Sequence, residues 1–587
     1  MERVYVGKID KNFVGKEVSL FGWVHSRRDH GGVIFIDLRD REGVVQLVFQ
    51  PENKKVFSEA ERLRNEFVVK VKGKVRLRPE GTQNPKIYSG EVEVVVEDIE
   101  VLNTSEVLPF EISEYKEVSE DLRLKYRYLD IRRQEVYKVL KLRSDVLSIT
   151  RNFFIKNGFL EVETPMLTKS TPEGARDFLV PSRINQGTFY ALPQSPQLFK
   201  QVLMVGGIDK YFQIVKCFRD EDLRSDRQPE FTQIDFEMSF VKEEEVISTT
   251  EKLLDEIFYR VKGKRLSLPL PRMSYDEAIS RYGTDRPDIR YGLEIKNITS
   301  IFSDTNFKVF KDTISKGGDV NVIVVPCGAQ FSRQQIDDYI SFIKSCGGLG
   351  LAWVKFKDDN FESNIVKFFS QQELNNLKEK LELRGGEIIF FSAGERKKSC
   401  ELLGFLRQKL ARDMQLVNNT DEYQFLWVVD FPLFEYSEEE KKIVSVHHPF
   451  TMPREEDIHL LEKEPLSMKS CAYDIVVNGV EIGGGSIRIH NGDLQKKVFS
   501  VLGLSNEEIN SRFGFLVEAL NFGAPPHGGL AIGFDRLLAI LENKESIREV
   551  IPFPKTQKGV CMLTEAPSVV EEKQLRELGI MLRENKK

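Results

Sequence analysis

Residues 211–240 read YFQIVKCFRDEDLRSDRQPEFTQIDFEMSF, and their middle is crowded with charge: Arg219, Asp220, Glu221, Asp222, Arg224, Asp226 and Arg227. The strand that follows alternates. Ile234, Phe236, Met238 and Phe240 fall on one face, and Gln233, Asp235 and Glu237 on the other. A hairpin with one wet face and a solvated loop would give the same alternation. The loop, however, is too long and too mixed in sign for a minimal turn. Edge strands usually offer Lys or Thr, not Gln with two carboxylates. A polar wall beside an Arg-bearing loop suits a ligand with both an amine and phosphates.

Other reactive groups are spread along the chain. In ALPQSPQLFKQVLM, Ser195-Pro196 opens a helix as a capping residue followed by Pro at the first helical position, with Gln197 and Lys200 near its start. A Lys there opposes the helix dipole, a cost an anionic ligand would relieve; an exposed Lys200 is the plain alternative. In VSVHHPFTMP, His447 and His448 are adjacent on an extended segment and point to opposite faces, one to a ligand and one to packing, which argues against a shared metal. AYDIVVNGVEIGGGSIRIH pairs two strands across Asn478-Gly479. No helix follows Gly483–Gly485, so these glycines are read as room for close backbone approach by a ligand. Asp474 and Glu481 supply hard oxygen ligands suited to Mg²⁺. Arg488 alternates with Ile487 and Ile489 and can grip a carboxylate bidentately. In GLAIGFDRLLAILE a strand leads to a helix capped by Asp535. Arg536 in its first turn is at the wrong end for a cation unless phosphate oxygens sit there.

These groups need scaffolds, and 587 residues suffice for several domains. With 41% hydrophobic and 30% charged residues the composition is that of a soluble globular protein. No apolar run approaches a membrane span, and MERVYVGKID lacks a signal-peptide core. The six scattered cysteines form no CxxC pair, which fits reduced thiols in the cytoplasm. At a net charge of −6, any nucleic acid must be held by local basic patches. Residues 1–105 carry five short β-rich runs, Val18–His25, Val33–Asp37, Val44–Phe49, Val68–Val75 and Glu91–Val101, with a helix over Val56–Arg64. This pattern predicts an OB-type barrel. Phe35 and Phe49 lie beside Arg27, Arg28, Arg39 and Arg41, a combination suited to single-stranded bases; a core Phe35 with solvated arginines is the alternative. Residues 106–133 read as a polar hinge. A helix is predicted over Gln134–Asn157, then a strand in GFLEVETPML ending at Pro165, and TKSTPEGARD as a mobile loop. Residues 134–284 and 421–557 share the chemistry-bearing pattern. Between them, 285–420 alternates strands and helices with few clustered catalytic-type residues, and 558–587 is a charged, helical tail.

FRDEDLRSDRQPEFTQIDFEMSF resembles motif 2 of the class II aminoacyl-tRNA synthetases in its bacterial aspartyl form. GFLEVETPML is similar to motif 1, a dimer element, and GLAIGFDRLLAILE to motif 3. The resemblance implies an α+β multidomain protein. Its parts are an N-terminal OB-fold anticodon-binding barrel, an antiparallel-sheet catalytic domain and an inserted GAD-like domain at 285–420. It implies ATP-dependent formation of aspartyl-adenylate and transfer to tRNA in a cytoplasmic homodimer. ATP would meet Arg219 at the α-phosphate, Arg536 at the γ-phosphate and Phe231 at adenine, together with Asp220, Glu221, Gln228, Gly533, Phe534 and Asp535. Mg²⁺ would bridge through Glu481 and Asp474. Arg488 and Lys200 would clamp the aspartate side chain, with His447 near it, while Glu173, Gln197 and Asp235 meet its ammonium group. Phe35, Gln46, Glu93 and Arg28 would touch the anticodon. His30 and Gly81 match the relaxed form, which charges tRNA-Asn as well as tRNA-Asp and depends on an amidotransferase. A strict tRNA-Asp enzyme, an asparaginyl or lysyl synthetase, and an inactive nucleic-acid-binding paralogue are the alternatives; the last would have lost Arg219, Glu481 or Arg536, and all three are present.

Overall fold

The β-branched runs at the N-terminus close on themselves. In the computed structural model, which describes residues 2–112, 117–171, 175–417 and 421–583, they form β1 (Glu17–His30), β2 (Val33–Arg39), β3 (Val44–Phe49), β4 (Val68–Leu77) and β5 (Val92–Asn103). Helix α1 (Lys54–Arg62) connects β3 to β4. Strand β1 pairs with both β2 and β4, which closes the order β1-β2-β3-β5-β4 into a barrel without free edges. Alternate residues such as Leu20, Val24, Ile34, Ile36, Leu47, Val71 and Val94 fill it. Phe49 is among the fully buried residues, so it serves the core and no ligand. Arg39 is buried too, paired with Glu66 at 2.8 Å.

The chain separates into two compact units. The first holds Met1–Arg143 together with Arg548–Ser568, where Arg127 donates to the carbonyls of Pro552 and Ile551 at 2.8 and 3.2 Å. Residues 558–568, the start of the stretch read as a charged, helical tail, thus belong to the first unit. Among the described residues of that tail, the helix expected there is limited to the short Glu572–Glu577.

The second unit, which begins at Ser144 within the helix Gln134–Lys156, is built on an eight-stranded sheet. Its elements are α2 (Gln134–Lys156), β6 (Leu160–Glu161), α3 (Gln197–Val205), β7 (Lys210–Phe218), β8 (Glu230–Ser239), β9 (Arg272–Ser274), β10 (Phe425–Val429), β11 (Ala472–Val477), β12 (Val480–Ile487), β13 (His527–Gly533) and α4 (Phe534–Leu541). The order is β9-β10-β11-β12-β13-β8-β7-β6, antiparallel through the centre with a parallel pair at each edge. Phe154 of α2 stacks on Phe212 at 4.8 Å and meets Phe236 at 5.4 Å. The apolar side of β8 is thereby sealed, and its polar side is left for other work.

Four local expectations fail. GFLEVETPML is a strand only at Leu160–Glu161. LWVVDFPLFEY, whose apolar run reads as one strand, breaks at Asp430, whose φ of 57° ends β10; Phe434–Ser437 then starts a separate hairpin. Phe240 does not continue the apolar row of β8, because its φ of 57° leaves the strand and its side chain is exposed. Helix α3 is capped by Pro196, one residue later than expected, and Ser195 Oγ accepts from the backbone N–H of Gln197 at 3.3 Å. The segment 285–420 forms its own five-stranded antiparallel sheet: Ile295–Asn297, Asp319–Val325, Glu387–Gly394, Ala352–Lys357 and Asn360–Glu362. No helix among the described residues is long and apolar enough to cross a membrane.

Candidate active site

The centre of the sheet is where side chains become either very small or charged. Directly paired residues project to one side. On that side β13 shows Gly529, Ala531 and Gly533, β8 shows Glu237, Asp235 and Gln233, and β12 shows Ser486 and Gly484. The floor is therefore nearly bare backbone between two polar walls. Gly529 has to be glycine: a Cβ there would lie 2.1 Å from Glu237 Oε2. Above the floor is a cavity of about 440 Å³. It is lined by Arg219, Arg488 and Arg536 together with Lys200, Asp235, Asp474 and Glu481. The three arginines, drawn from chain segments far apart in sequence, do share one cavity.

At one end lies a buried charge network. Lys200, far from being an exposed helix lysine, is fully buried and pairs with Asp235 at 2.8 Å and Glu237 at 3.2 Å. Arg488 Nε and Nη2 donate to the Glu237 carboxylate at 2.9 and 3.2 Å, Nη1 to Ser486 Oγ at 2.7 Å, and Nη2 to the Gly529 carbonyl at 3.3 Å. Burial would raise the Glu237 carboxyl, but Arg488 and Lys200 outweigh it and hold it at about 2. For Asp235 burial wins over Lys200, and its carboxyl rises to about 6.

Both histidines line the cavity, which corrects the division of roles expected from their alternation. His448, expected to pack, sits with Nε2 2.6 Å from Arg488 Nη1. Burial and then Arg488 push its imidazole well below the usual range, so the ring stays neutral and accepts. His447 lies edge-on to Phe431 at 4.7 Å, and its buried Nε2 has no hydrogen-bond partner. Burial lowers it to about 4.

A bulge shapes the opposite wall. Ile475 pairs with Gly483 but Val476 pairs with Glu481, so Ile482 is extra, and it turns into the core. Without that residue Glu481 would face away from Asp474; with it, both carboxylates face one side. Gly484 lies opposite Asp474, and a Cβ there would come within 2.4 Å of Asp474 Oδ1. This oxygen is buried and unpartnered. Burial, Glu481 and Asp285 together push the Asp474 carboxyl well up. A dication beside the two carboxylates would reverse that penalty, so they fit Mg²⁺, with the remaining ligands left to the substrate. Among the described residues no three protein ligands come together for a metal.

Farther along, Arg219 lies over the Phe231 ring at 5.1 Å, with its Nε buried and unpaired. Arg536 stands in the first turn of α4, where Nη1 donates to the Glu481 carbonyl at 3.0 Å and Nη2 to Asp226 at 3.4 Å. Asp535 is not the helix cap. Gly533 is, and Asp535 instead accepts from the Thr232 backbone N–H at 2.7 Å, pinning α4 to β8. Gln197, Glu221 and Gln228 also line the cavity, whereas Phe534 is in the core and Asp220 is exposed, bridged to Arg176. Glu173 lies outside the described residues. The sequence reading missed Glu237 as counter-ion to two cations, and missed His448, Ser486 and Arg286, the last a cavity-lining residue at the edge of the inserted segment. The alternation of β8 had put Glu237 on the right face, that of GGGSIRIH puts Ser486 on the face of Arg488, and His448 had been assigned to packing; Arg286 carried no signal.

On the barrel, the residues expected to read bases converge. Asp37, Gln46, Glu93 and Arg76 occupy one row across β2, β3, β5 and β4. Gln46 donates to Glu93 at 2.8 Å, Arg76 to Glu93 at 2.8 Å, and Arg28 to Asp37 at 2.9 Å and Gln46 at 3.4 Å. Half-buried Phe35 lies beside this row, with His30 edge-on at 6.3 Å. Gly81 is in an exposed turn at φ 81°.

The comparisons agree with this layout. Residues 119–557 match the family model of class II tRNA synthetases (D, K and N), and residues 18–102 match an OB-fold nucleic acid binding domain. The chain is 56% identical to the aspartate–tRNA(Asp/Asn) ligase of Persephonella marina, with 98% of this chain and 96% of that protein covered. It is 54% identical to the protein of the same name from Aquifex aeolicus, with 99% and 98% covered. Among solved structures, asparaginyl-tRNA synthetase from Pyrococcus horikoshii complexed with asparaginyl-adenylate superposes with a TM-score of 0.59 at 20% identity, covering 95% of this chain and 98% of that one. Aspartyl tRNA synthetase from Entamoeba histolytica superposes at 0.57 and 19%, covering 94% and 91%. These two show the shared fold. With a bare-backbone floor, paired charge walls and a matching barrel in place, the chain belongs to the class II tRNA synthetases of the D, K and N group.

Proposed function

We propose that this protein is an aspartate–tRNA ligase that joins L-aspartate to tRNA-Asp and tRNA-Asn in two ATP-dependent steps. The observation that carries the reading is the buried Lys200–Asp235–Glu237–Arg488 network at one end of the cavity. It offers cations for a side-chain carboxylate and an anion for an ammonium group. Beside it Ala531, Gly533 and Gly483–Gly485 leave a floor of nearly bare backbone, on which an amino acid and the phosphates joined to it can lie close.

In the first step the aspartate α-carboxylate attacks the α-phosphorus of ATP, giving aspartyl-adenylate and pyrophosphate. The chain's task is to position and neutralise, with little acid–base work. Arg219 holds the α-phosphate and Arg536 the γ-phosphate. Phe231, with Arg219 already over its ring, supplies the flat surface for adenine, flanked by Glu221 and Gln228. Glu481 and Asp474 would hold Mg²⁺, which when bound supplies charge neutralisation of the polyphosphate. Arg488 and Lys200 take the side-chain carboxylate, with His447 and His448 at its edge, while Asp235 and Gln197 meet the ammonium. Asparagine would turn an amide NH₂ toward these donors and leave both sides unpaired. In the second step the terminal ribose hydroxyl of tRNA attacks the adenylate carbonyl, the bond from that carbonyl carbon to the phosphate oxygen breaks, and AMP leaves with the aspartyl ester formed.

Asp235 must be ionised to attract the ammonium, and its carboxyl sits at about 6. Below that pH the protonated fraction grows. The value of kcat/KM for aspartate is therefore expected to fall about tenfold per pH unit on the acid side. Pyrophosphate exchange across pH 5 to 8 checks this, and a flat profile would contradict the assignment.

On the barrel, stacking on Phe35 would be worth about 1–3 kcal/mol per base. Phe35→Ala is expected to raise the KM for tRNA about 10- to 100-fold, with aspartate-dependent pyrophosphate exchange untouched. Relaxed specificity is supported by His30 and Gly81 and by relatives named for both tRNAs. Purified tRNA-Asn transcripts should be charged with aspartate; no charging would end that part of the reading. The product implies an amidotransferase that converts Asp-tRNA-Asn to Asn-tRNA-Asn. Motif 1 supports a homodimer, whose mass in solution would be twice 67.7 kDa. The free thiols support a cytoplasmic setting.

A further inference from the structure

The Gln197 amide has one end toward the cavity and the other toward the interior. Its Nε2 donates to Gln201 Oε1 at 3.1 Å. Gln201 Nε2 lies 3.3 Å from His527 Nε2, and His527 Nδ1 lies 2.7 Å from the Pro525 carbonyl oxygen. Gln201 and His527 are fully buried. A carbonyl oxygen only accepts, so Nδ1 carries the proton, and in the neutral ring Nε2 is an acceptor. Gln201 must then turn its NH₂ to the ring and its oxygen to Gln197. Gln197 in turn must point its NH₂ inward, leaving its own oxygen to the cavity. A backbone carbonyl that cannot reverse thus fixes the direction of every bond in the chain. The surroundings keep the ring neutral: burial acts most strongly, Arg488 and His490 act the same way, and Glu237 and the Pro525 carbonyl oppose them.

We propose that His527 and Gln201 are positioning residues that lock the Gln197 amide with its oxygen toward the substrate ammonium group. The proposal rests on reading the cavity as an amino-acid site. A reversed amide would present N–H donors to the ammonium and repel it, so the relay acts on amino-acid binding and not on ATP.

Two substitutions separate this role from simple packing. His527→Asn can still donate to the Pro525 carbonyl, but its shorter side chain places no acceptor at the former Nε2 that faces Gln201. His527→Gln can place an amide oxygen near the former Nε2. In pyrophosphate exchange, His527→Asn is expected to raise the aspartate KM about 10- to 100-fold while kcat and the ATP KM stay within about twofold. His527→Gln should recover most of the loss. Equal defects in both variants, or a loss spread equally over kcat and the ATP KM, would overturn the proposal. A second readout needs no activity. The chain has seven histidines. In ¹³C,¹⁵N-histidine-labelled full-length protein, the ring signal lost in His527→Asn should be the Nδ1–H tautomer and should not titrate between about pH 6 and 8. An Nε2–H or protonated ring would overturn the relay whichever amino acid is activated. A wild-type chain that activates no aspartate would instead overturn the functional reading, and the tautomer would still decide the relay.

Discussion

Arg488→Leu is expected to remove aspartate-dependent pyrophosphate exchange, with kcat/KM falling at least about 10³-fold, because a buried recognition charge and its hydrogen bonds vanish together. The structure adds a second consequence. Arg488 satisfies Glu237, which is fully buried and, among the described residues, otherwise pairs with Lys200 alone. Breaking a buried pair from one side costs about 3–5 kcal/mol, so the variant should also melt early. The two effects can be separated. In Arg488→Leu/Glu237→Gln the orphaned carboxylate is gone, so stability should largely return while activity does not. Thermal melts beside exchange assays decide the matter. Near-normal exchange in Arg488→Leu would refute the clamp. Recovery of exchange in the double variant would show that Arg488 serves Glu237 alone.

The same guanidinium shows what substrate binding must rearrange. Its five N–H groups are all engaged: Nε and Nη2 with Glu237, Nη2 with the Gly529 carbonyl, and Nη1 with Ser486 and His448. An incoming carboxylate therefore exchanges with one of these partners and does not fill an empty fork. His448 is neutral and half-buried at the cavity wall, and yielding its place leaves no charge stranded.

Much of this was legible in the sequence, for identifiable reasons. Period-two alternation puts Asp235 and Glu237 on one face of β8, and the Asn478-Gly479 turn, with φ of 53° and 80°, fixes the hairpin that carries Asp474, Glu481 and Arg488. Alternation alone fails where backbone geometry departs from it. The bulge at Ile482 brings Glu481 round to Asp474, an outcome no strict count of two would give. The chain bends at Val446 and His447, so the segment expected to be extended does not send one ring away from the cavity. Capping was read one or two residues off at Pro196 and Gly533, because Ser195 and Asp535 have the right chemistry but spend it on other backbone groups. Pairings such as Lys200 with Glu237 join α3 to β8 and are set by tertiary packing, on which local pattern is silent.

Arg219→Ala should lower kcat for adenylate formation about 10²- to 10³-fold, the usual effect of deleting one preorganised donor to a developing phosphate charge. Its neighbourhood supports a role in chemistry over one in stability. Arg536 is tied to Asp226 and a backbone carbonyl, and Arg488 is saturated. Arg219, by contrast, forms no ion pair among the described residues, and its Nε is buried without a partner, although its guanidinium is braced over Phe231 at 5.1 Å. Its backbone N–H, bonded to the Pro229 carbonyl at 3.0 Å, holds the base of the side chain at the end of β7. A cation fixed in place without a counter-ion costs the free protein stability, and an α-phosphate would relieve that cost. The melting temperature of Arg219→Ala should therefore match or exceed that of the parent while turnover collapses. Arg219→Lys keeps the charge but loses the fork and the flat stacking surface, so it should recover only part of the rate. Rapid-quench measurement of adenylate formation, paired with thermal melts, reads both quantities. A kcat within about tenfold of the parent, or a loss of stability matching the loss of rate, would remove Arg219 from the phosphate site.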